Sequence, residues 1–211
     1  MLMGSIKRLI LLIALFFLWQ NMPAVQDIDD LYRELLSVYD AMEYYQADFR
    51  QSNYWKTQDI GMESEGRIYI EGERFALIYS QPSGQRLVID RAVYLSDDND
   101  KTLIITDIEH TDGLYKPADI LRHYWEQSEK ELIGSDSDIF TLILMPENDP
   151  YTSRVEMEIR KDDILVRRVY YEDHQQNSVE FLFSNERIDE RFADDVFDTA
   201  VEEDYMIIDN R

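Results

Sequence analysis

The feature that most constrains the fold of this chain is a series of short segments in which apolar and polar residues alternate. Residues 155–160, VEMEIR, place Val, Met and Ile on one side and Glu, Glu and Arg on the other. Residues 178–184, SVEFLFS, repeat that pattern, and turn signals such as Glu71-Gly72 and Ser83-Gly84 lie between such segments. Alternation with a period of two is typical of half-buried strands joined by hairpins. The sequence therefore predicts an antiparallel meander that forms a sandwich or a barrel-like sheet.

Two segments depart from this pattern and predict helices. In residues 27–45, apolar residues recur at three- and four-residue spacing from Ile28 to Met42, and Asp27 suits the N-cap. In the second segment, Pro117 suits a first helical turn, and the apolar residues of ILRHYW, residues 120–125, give the helix one apolar side. The expected order is one helix, five or six strands, a short helical insertion, and four or five further strands.

The charge of the chain excludes several kinds of partner. It carries 44 acidic and 21 basic residues, which gives a net charge of -23. Lys and Arg make the phosphate contacts on which nucleic acids and anionic lipid headgroups depend, so we expect neither as a partner. We expect a self-repelling monomer. The chain has no cysteine, which excludes disulfides, cysteine zinc sites and a lipid-attachment cysteine.

The N-terminal segment has the layout of a secretory signal peptide. Lys7 and Arg8 precede an apolar run over residues 9–19, and Ala24 offers a small-residue cleavage site. This run is shorter than the ~20 residues that cross a bilayer. An uncleaved anchor is the alternative, because Met22 stands where a small residue is preferred. We predict a signal peptide over residues 1–24, one domain over residues 25–211, and a periplasmic location.

The sequence contains no motif for catalysis or for a cofactor. It lacks the G-x-S-x-G, P-loop, dinucleotide and H-E-x-x-H patterns. His110, His123 and His174 stand far apart, so they predict no metal site. The acidic run at residues 97–100 fails as an EF-hand, since Thr102 and Ile108 occupy the positions that need Gly and Glu. We expect a protein that is not an enzyme and has no cofactor; an esterase assembled from distant residues is the enzyme alternative.

Five segments, in this order, resemble the periplasmic outer-membrane lipoprotein carriers, the LolA-like family. They are YYQADFRQ (44–51), SEGRIYIEGERFALIYSQPSGQRLVIDRAVYLSDDND (64–100), PADIL (117–121), FTLILMPENDP (140–150) and VYYEDHQQNSVEFLFSN (169–185). The sequence departs from the family pattern at two points. Leu77 stands where the family often has Trp, and Glu71-Gly72 stands where it often has a lid-locking Arg, which leaves Arg74 as the nearest arginine.

The resemblance implies a fold and a function. The fold is a mainly β (α+β) protein, an unclosed antiparallel half-barrel of eleven strands, with the N-terminal helix and the helical insertion forming a lid over an apolar cavity. The function is to take up the acyl chains of lipoproteins from an inner-membrane release complex and to pass them to an outer-membrane receptor. Periplasmic sensory proteins with the same half-barrel, and carriers of another lipid, are the alternatives.

The same resemblance, with the alternation, assigns candidate site residues. The cavity lining is expected to comprise Phe49, Ile68, Ile70, Phe75, Leu77, Tyr79, Val88 and Phe181. The lid is expected to include Leu31, Leu35, Arg74, Ile120, Leu121 and Tyr124. Packing of the same residues into a filled core is the alternative for each of them.

Overall fold

The computed structural model describes residues 27–108, 116–134 and 138–211. The chain divides into two compact units, residues 1–31 and 32–211. In the first unit the described residues are 27–31, at the start of helix α1; the second unit holds the rest of that helix and all of the sheet. The predicted signal peptide and His110 lie outside the described residues. Within the three described ranges, no helix combines the length and apolar character needed to cross a membrane.

Two α-helices occur in the described residues, α1 (Ile28–Ala41) and α2 (Pro117–Trp125). At the start of α1 the Asp27 carboxylate accepts the backbone N–H of Asp29 at 3.4 Å, which satisfies one of the free donors of the first turn. The sequence predicted that this helix would reach residue 45, but it ends at Ala41. Tyr44 and Tyr45 instead begin a strand, where aromatic side chains pack well against neighbouring strands.

Twelve strands occur in the described residues. Six precede α2: β1 (Tyr44–Trp55), β2 (Ile60–Glu71), β3 (Arg74–Gln81), β4 (Gln85–Ile89), β5 (Val93–Asp97) and β6 (Thr102–Thr106). Six follow it: β7 (Ser128–Ile133), β8 (Ile139–Pro146), β9 (Thr152–Arg160), β10 (Val166–Asp173), β11 (Ser178–Ile188) and β12 (Met206–Asp209). The order matches the sequence prediction except for β12, the short C-terminal strand that exceeds the expected eleven.

The strands form one sheet in the order β12-β6-β5-β4-β3-β2-β1-β11-β10-β9-β8-β7. Most neighbours are consecutive hairpin partners; the pair β1–β11 joins the two halves of the chain, and β12 lies parallel to β6. The two end strands, β12 and β7, do not pair with each other, so the sheet stays unclosed. The predicted fold class, an unclosed antiparallel sheet with two helices, is confirmed.

One glycine of the strand motif is required by a close backbone approach. A Cβ atom placed on Gly66 would lie 2.1 Å from the carbonyl oxygen of Ile78 in the neighbouring strand β3. The register between β2 and β3 shifts at this point, between Glu65 and Gly66. Any side chain here would push the two strands apart, so only glycine permits the irregularity.

The two faces of the sheet carry different apolar clusters. We call inner the face that bears Phe75, Leu77 and Ile89, and outer the face that bears Ala76 and Val88. The short 3-10 helix Asp194–Phe197 covers the outer face, where its last two residues pack against Ala76 and Val88.

Candidate functional site

A cavity of about 270 Å³ lies on the inner face, beside the start of helix α2. Leu87 of β4 and Val169 of β10 both line it, although β3, β2, β1 and β11 lie between those two strands in the sheet. The sheet therefore curves around the cavity. Its lining comprises Gln51, Ile68, Phe75, Leu77, Tyr79, Leu87, Pro117, Ile120, Val169, Tyr171, Phe181 and Phe183.

Strand register explains how these side chains meet. Leu77 pairs with Ile68 on one side and with Leu87 on the other, so one row of the inner face crosses three strands. On the other half of the sheet, Phe181 pairs with Val169 and Gln51 in the same manner. Directly paired residues share a face, which turns the alternation in each strand into one continuous apolar surface.

Aromatic rings form a large part of this surface. The ring of Phe49 contacts that of Tyr79 edge-on, with 5.3 Å between centroids, and lies 6.2 Å from that of Phe181. The rings of Phe181 and Phe183 are stacked at 6.2 Å. Phe49 itself is buried. It thus supports two aromatic residues that line the cavity.

The polar atoms at the cavity are few and neutral. The lining residues, all of them in the described part of the chain, include no Asp, Glu, Lys, Arg or His. The Tyr79 hydroxyl donates a hydrogen bond to Oε1 of Gln51 at 3.3 Å. Burial raises the pKa of Tyr79 and that of Tyr171, so both phenols stay protonated at neutral pH. This environment suits an apolar ligand and offers no charged acid, base or nucleophile.

The helix beside the cavity, α2, makes ion pairs and a hydrogen bond near the protein surface. Arg122 of α2 forms an ion pair with Asp40 of α1 and a second, at 3.0 Å, with Asp119. Lys116 donates to the backbone carbonyl of Gly72 in the β2–β3 turn. The side chains of Arg122 and Asp40 are 41% and 57% exposed. Ion pairs this exposed contribute little stability, so most of the hold on α2 comes from its buried apolar side chains.

An aromatic contact also joins the two helices. The rings of Tyr32 and Trp125 stack with 4.0 Å between their centroids. Nζ of Lys130 in β7 lies 5.3 Å from the centroid of the Trp125 ring. The C-terminal end of α2 is therefore packed against aromatic and basic side chains, while its N-terminal end borders the cavity through Pro117 and Ile120.

The described residues contain no group of three or more His, Cys, Asp or Glu placed to hold a metal ion. Nε2 of His174 lies 2.8 Å from the backbone carbonyl of Asp149, and the ring of His123 packs against that of Tyr124. These two histidines take part in local packing, far from each other in the sequence.

Comparison with known families decides the assignment. The model of the family described as outer membrane lipoprotein carrier protein LolA matches residues 40–200. This chain belongs to the LolA family. The family predicted from the order of the sequence motifs is confirmed. No curated protein matches the chain.

Solved structures support the fold of this LolA family member. The crystal structure of an uncharacterized conserved protein from Thermus thermophilus aligns over 84% of this chain and 98% of its own, with 13% identity and a TM-score of 0.57. The structure of MucB aligns over 88% of this chain and 66% of its own, with 15% identity and a TM-score of 0.55. The Pseudomonas aeruginosa MucA/MucB complex aligns over 81% of this chain and 60% of its own, with 14% identity and a TM-score of 0.50. This chain thus spans about two thirds of the MucB chain.

The structure brings most of the predicted cavity residues together. Ile68, Phe75, Leu77, Tyr79 and Phe181 line the cavity. Phe49 and Ile70 belong to the same apolar cluster without lining it. Phe49 packs behind Tyr79 and Phe181, whose rings line the cavity. Ile70 instead borders a smaller space of about 160 Å³ between the helices and the β2–β3 turn.

The prediction for Val88 is corrected by its position. Val88 pairs with Ala76 in β3, and both pack against Val196 and Phe197 on the outer face. Its neighbour Leu87 lines the cavity in its place. The alternation within β4 places these two side chains on opposite faces, so only one of them can face the cavity.

The predicted lid role of Arg74 is also corrected. Arg74 forms an ion pair with Glu71, and its guanidinium carbon lies 4.4 Å from the centroid of the Phe197 ring. Phe197 belongs to the outer cluster, so Arg74 lies on the side away from the helices. The contacts that join the two helices and the β2–β3 turn come instead from Arg122 and Lys116.

The remaining predicted lid residues lie in the helices. Ile120 lines the cavity, and Leu121 and Tyr124 are buried beneath α2. The Tyr124 hydroxyl lies 3.0 Å from Oγ1 of Thr152, at the start of β9. Leu31 and Leu35 are both buried on α1. Whether the helices act as a lid stays a prediction.

Sequence reasoning missed six lining residues: Gln51, Leu87, Pro117, Val169, Tyr171 and Phe183. Phe183 follows Phe181 by two and could have been found by continuing the alternation of that strand. Leu87 needed the register between β3 and β4. Val169 and Tyr171 lie in VRRVYYED, which mixes apolar and charged residues too irregularly to reveal its inner side.

Proposed function

We propose that this protein is a periplasmic carrier that shields the acyl chains of lipoproteins, or of a related lipid, and moves them from the inner to the outer membrane. The observation that carries the proposal is the cavity on the inner face, whose lining is apolar and aromatic and includes no charged side chain. Membership of the LolA family supports the proposal. The helix α2, which borders the cavity through Pro117 and Ile120, is its proposed movable cover.

The need for such a carrier follows from the cost of exposing lipid to water. Each buried CH₂ group is worth about 0.8 kcal/mol, so a long acyl chain costs on the order of 10 kcal/mol to transfer into water. A lipoprotein with several chains cannot cross an aqueous compartment unaided at that cost. The carrier offers an apolar surface in place of water and lowers the barrier to the transfer.

The small size of the cavity supports a movement of α2 when cargo enters. About 270 Å³ is below the roughly 300–1,000 Å³ that small-molecule sites usually provide. Several acyl chains need more room than this. The proposed cycle therefore exchanges contacts between α2 and the inner face for contacts between cargo and the same face. An inner-membrane release complex and an outer-membrane receptor are the partners proposed for loading and unloading, and the carrier acts as a monomer.

A second function is supported by the likeness to MucB. The solved complex of MucA with MucB shows that this fold occurs in a protein bound to another protein. We keep a periplasmic sensor of lipid or lipoprotein, which signals through a bound protein, as the alternative proposal. Both functions use the cavity, and they differ in whether the cargo is passed on to a membrane.

The carrier proposal is tested by isolating the full-length protein from the periplasm and identifying the bound lipids and lipoproteins by mass spectrometry. We expect acylated cargo on the unaltered protein, and we expect Leu77→Glu to remove it, because that carboxylate would lie in the cavity. Ile207→Glu is the matched control, since Ile207 is 58% exposed on β12.

A transfer assay then separates the two functions. The loaded protein is mixed with outer-membrane vesicles, and the cargo that sediments with them is measured. Transfer to the vesicles supports the carrier. Cargo that stays on the protein while a second protein co-purifies supports the sensor, and a protein without cargo under conditions where a known carrier retains it contradicts both.

A further inference from the structure

A second cavity of about 270 Å³ lies on the inner face near the C-terminal ends of β1 and β10. It shares Tyr171 with the apolar cavity described above. Strand pairing places Asn53, Val179 and Tyr171 opposite one another in β1, β11 and β10. The adjacent row of the same face, two residues away along each strand, consists of Gln51, Phe181 and Val169, which line the apolar cavity. The two cavities are therefore neighbours along the inner face. We call the one near the C-terminal ends of β1 and β10 the rim pocket.

The rim pocket differs from the apolar cavity in having exposed aromatic side chains. Trp55 is 38% exposed and Tyr151 is 76% exposed, although both are large apolar or amphipathic residues. An exposed aromatic ring offers a flat apolar surface next to water, the arrangement that a ligand with one apolar and one hydrated side can use. The apolar cavity instead has its aromatic rings packed against one another.

The polar groups that remain available in the rim pocket are neutral. Burial raises the pKa of the Tyr171 phenol, and the nearby Tyr124 adds to the rise, so the phenol keeps its proton. The amide oxygen of Asn53 accepts a hydrogen bond from Gln51 at 3.1 Å, which leaves its NH₂ group as a donor. The pocket thus offers a phenol and an amide to hydroxyl groups of a ligand.

The two carboxylates that border the rim pocket are already engaged. Asp173 accepts hydrogen bonds from the backbone N–H groups of Gln175 and Asn177 and from the Asn177 side chain, at 2.7–2.8 Å. Glu172 accepts a hydrogen bond from the Tyr170 hydroxyl at 2.8 Å. Strand alternation places the side chains of Glu172 and Tyr170 on the outer face. These carboxylates are therefore poor partners for a cation.

An anionic ligand does not suit the rim pocket either. The described residues that line it include no Lys, Arg or His, and the Asp173 carboxylate is among its borders. A phosphate group would find no positive side chain among these residues, in a protein whose net charge is -23. Neutral hydroxyl groups and an apolar ring face remain as the chemistry that the pocket can satisfy.

We infer that the rim pocket binds the neutral sugar headgroup of an amphiphile whose hydrocarbon chain lies in the adjoining apolar cavity. The C–H face of a pyranose ring stacks on an aromatic ring, and its hydroxyl groups bond to the phenol of Tyr171 and the amide of Asn53. This inference rests on the proposed function, and it narrows the cargo to molecules that carry a sugar next to their acyl chains.

Isothermal titration of the delipidated full-length protein tests the inference, with three probes kept below their critical micelle concentrations. Octyl glucoside carries both a sugar and a chain, triethylene glycol monooctyl ether carries the same chain without a sugar, and methyl glucoside carries the sugar alone. We expect octyl glucoside to bind about five- to tenfold more tightly than the ether, the factor that one aromatic contact supplies. We expect methyl glucoside to bind at least tenfold more weakly than octyl glucoside.

Two variants test whether the rim pocket causes the preference for octyl glucoside. Trp55→Ala should remove the preference for octyl glucoside and leave the affinity for the ether unchanged. Ile208→Ala is the matched control, because Ile208 is 37% exposed and lies on β12, away from the rim pocket. Tyr151→Ala is a second test of the same preference. Because Tyr151 is largely exposed, this substitution should not unfold the protein.

Each other outcome counts against a defined part of the inference. Equal affinities for octyl glucoside and the ether, or a Trp55→Ala variant that keeps the preference, would overturn the sugar site. Methyl glucoside that binds as tightly as octyl glucoside would overturn the link to a lipid and indicate a site for free saccharides. If neither amphiphile binds, the carrier proposal fails and the inference fails with it, a result distinct from the failure of the sugar preference alone.

Discussion

The inner and outer faces of strands β3 and β4 are both apolar, yet they are covered in different ways. On the outer face, Ala76 and Val88 are sealed by the 3-10 helix Asp194–Phe197. Arg86 holds that helix by donating to the carbonyl oxygens of Asp195 and Val196 at 3.1 and 3.0 Å. On the inner face, the larger side chains leave a cavity of about 270 Å³ beside α2.

This difference shows that apolar content alone does not identify a binding surface. On the outer face, large side chains such as Phe192 and Phe197 pack around Ala76 and Val88, and the cover is held by hydrogen bonds to its backbone, which favours a filled core. The inner face has bulky side chains that leave an unfilled space beside α2, and the ion pairs of α2 are exposed. This unfilled space, more than hydrophobicity, separates the proposed binding face from the structural one.

The largest contrast is expected when a charge is placed on each face. We expect Leu77→Glu to reduce the retained acyl ligand at least tenfold while the protein stays folded, because the new carboxylate borders a cavity with room for water. We expect Val88→Glu to cost at least about 3 kcal/mol in the free energy of unfolding, because it buries an unpaired charge. Urea unfolding and ligand retention measure the two effects; equal unfolding by both variants would mean that the inner face is also a filled core.

Removing an aromatic ring from each face should show the same difference more mildly. Phe197→Ala on the outer side should lower the free energy of unfolding by about 3 kcal/mol, the usual cost of truncating a buried Phe. Phe181→Ala should cost roughly half as much, since its ring already borders empty space and forms fewer contacts. Chemical denaturation followed by circular dichroism gives both values. A larger loss for Phe181→Ala would reverse the comparison.

A smaller effect is expected at the contacts that hold α2. Arg122→Gln removes the pair with Asp40, whose side chains are half exposed, so stability should fall by less than about 1 kcal/mol. A weaker hold on α2 should raise the rate of uptake of a fluorescent acyl probe by up to about fivefold, the factor that corresponds to 1 kcal/mol. Arg211→Gln, which removes the pair with Asp209 near the end of the chain, is the control. An uptake rate unaffected by Arg122→Gln would show that the pair between Arg122 and Asp40 does not limit uptake.

The smallest effect concerns pH. Burial raises the pKa of Tyr79 above the usual 10.0, so its phenol stays protonated in the folded protein where it ionises in the unfolded chain. This contribution to stability is complete below about pH 10 and is lost as the pH rises further. Tyr79→Phe should therefore lose less stability than the unaltered protein between pH 10 and 11. Identical slopes for Tyr79→Phe and the unaltered protein would argue that Tyr79 is not enclosed.

The sequence predicted the strands well because their alternation is local. The faces of β9 and β11, the helix that begins at Pro117 and the turns at Gly72 and Gly84 all depend on neighbouring residues, and the structure confirms them. Alternation also grouped Phe75, Leu77 and Tyr79 correctly on one side of β3.

Errors arose where a position depends on residues distant in the sequence. Val88 was placed in the cavity because alternation separates the two sides of a strand without saying which side faces inward. The register between β3 and β4, which pairs Val88 with Ala76, decides that question. The strand β12 was missed for a similar reason, since its four residues become a strand only by pairing with β6, about a hundred residues earlier.

The central claim, that the inner face accepts acyl chains while the outer face does not, is tested most directly by photolabelling. A fatty acid with a diazirine at the middle of its chain is bound to the full-length protein, irradiated, and the labelled residues are mapped by mass spectrometry. The account predicts labels on Phe75, Leu77, Ile120 and Phe181. Labels confined to Val88, Val196 and Phe197, or no label at saturating ligand, would contradict it.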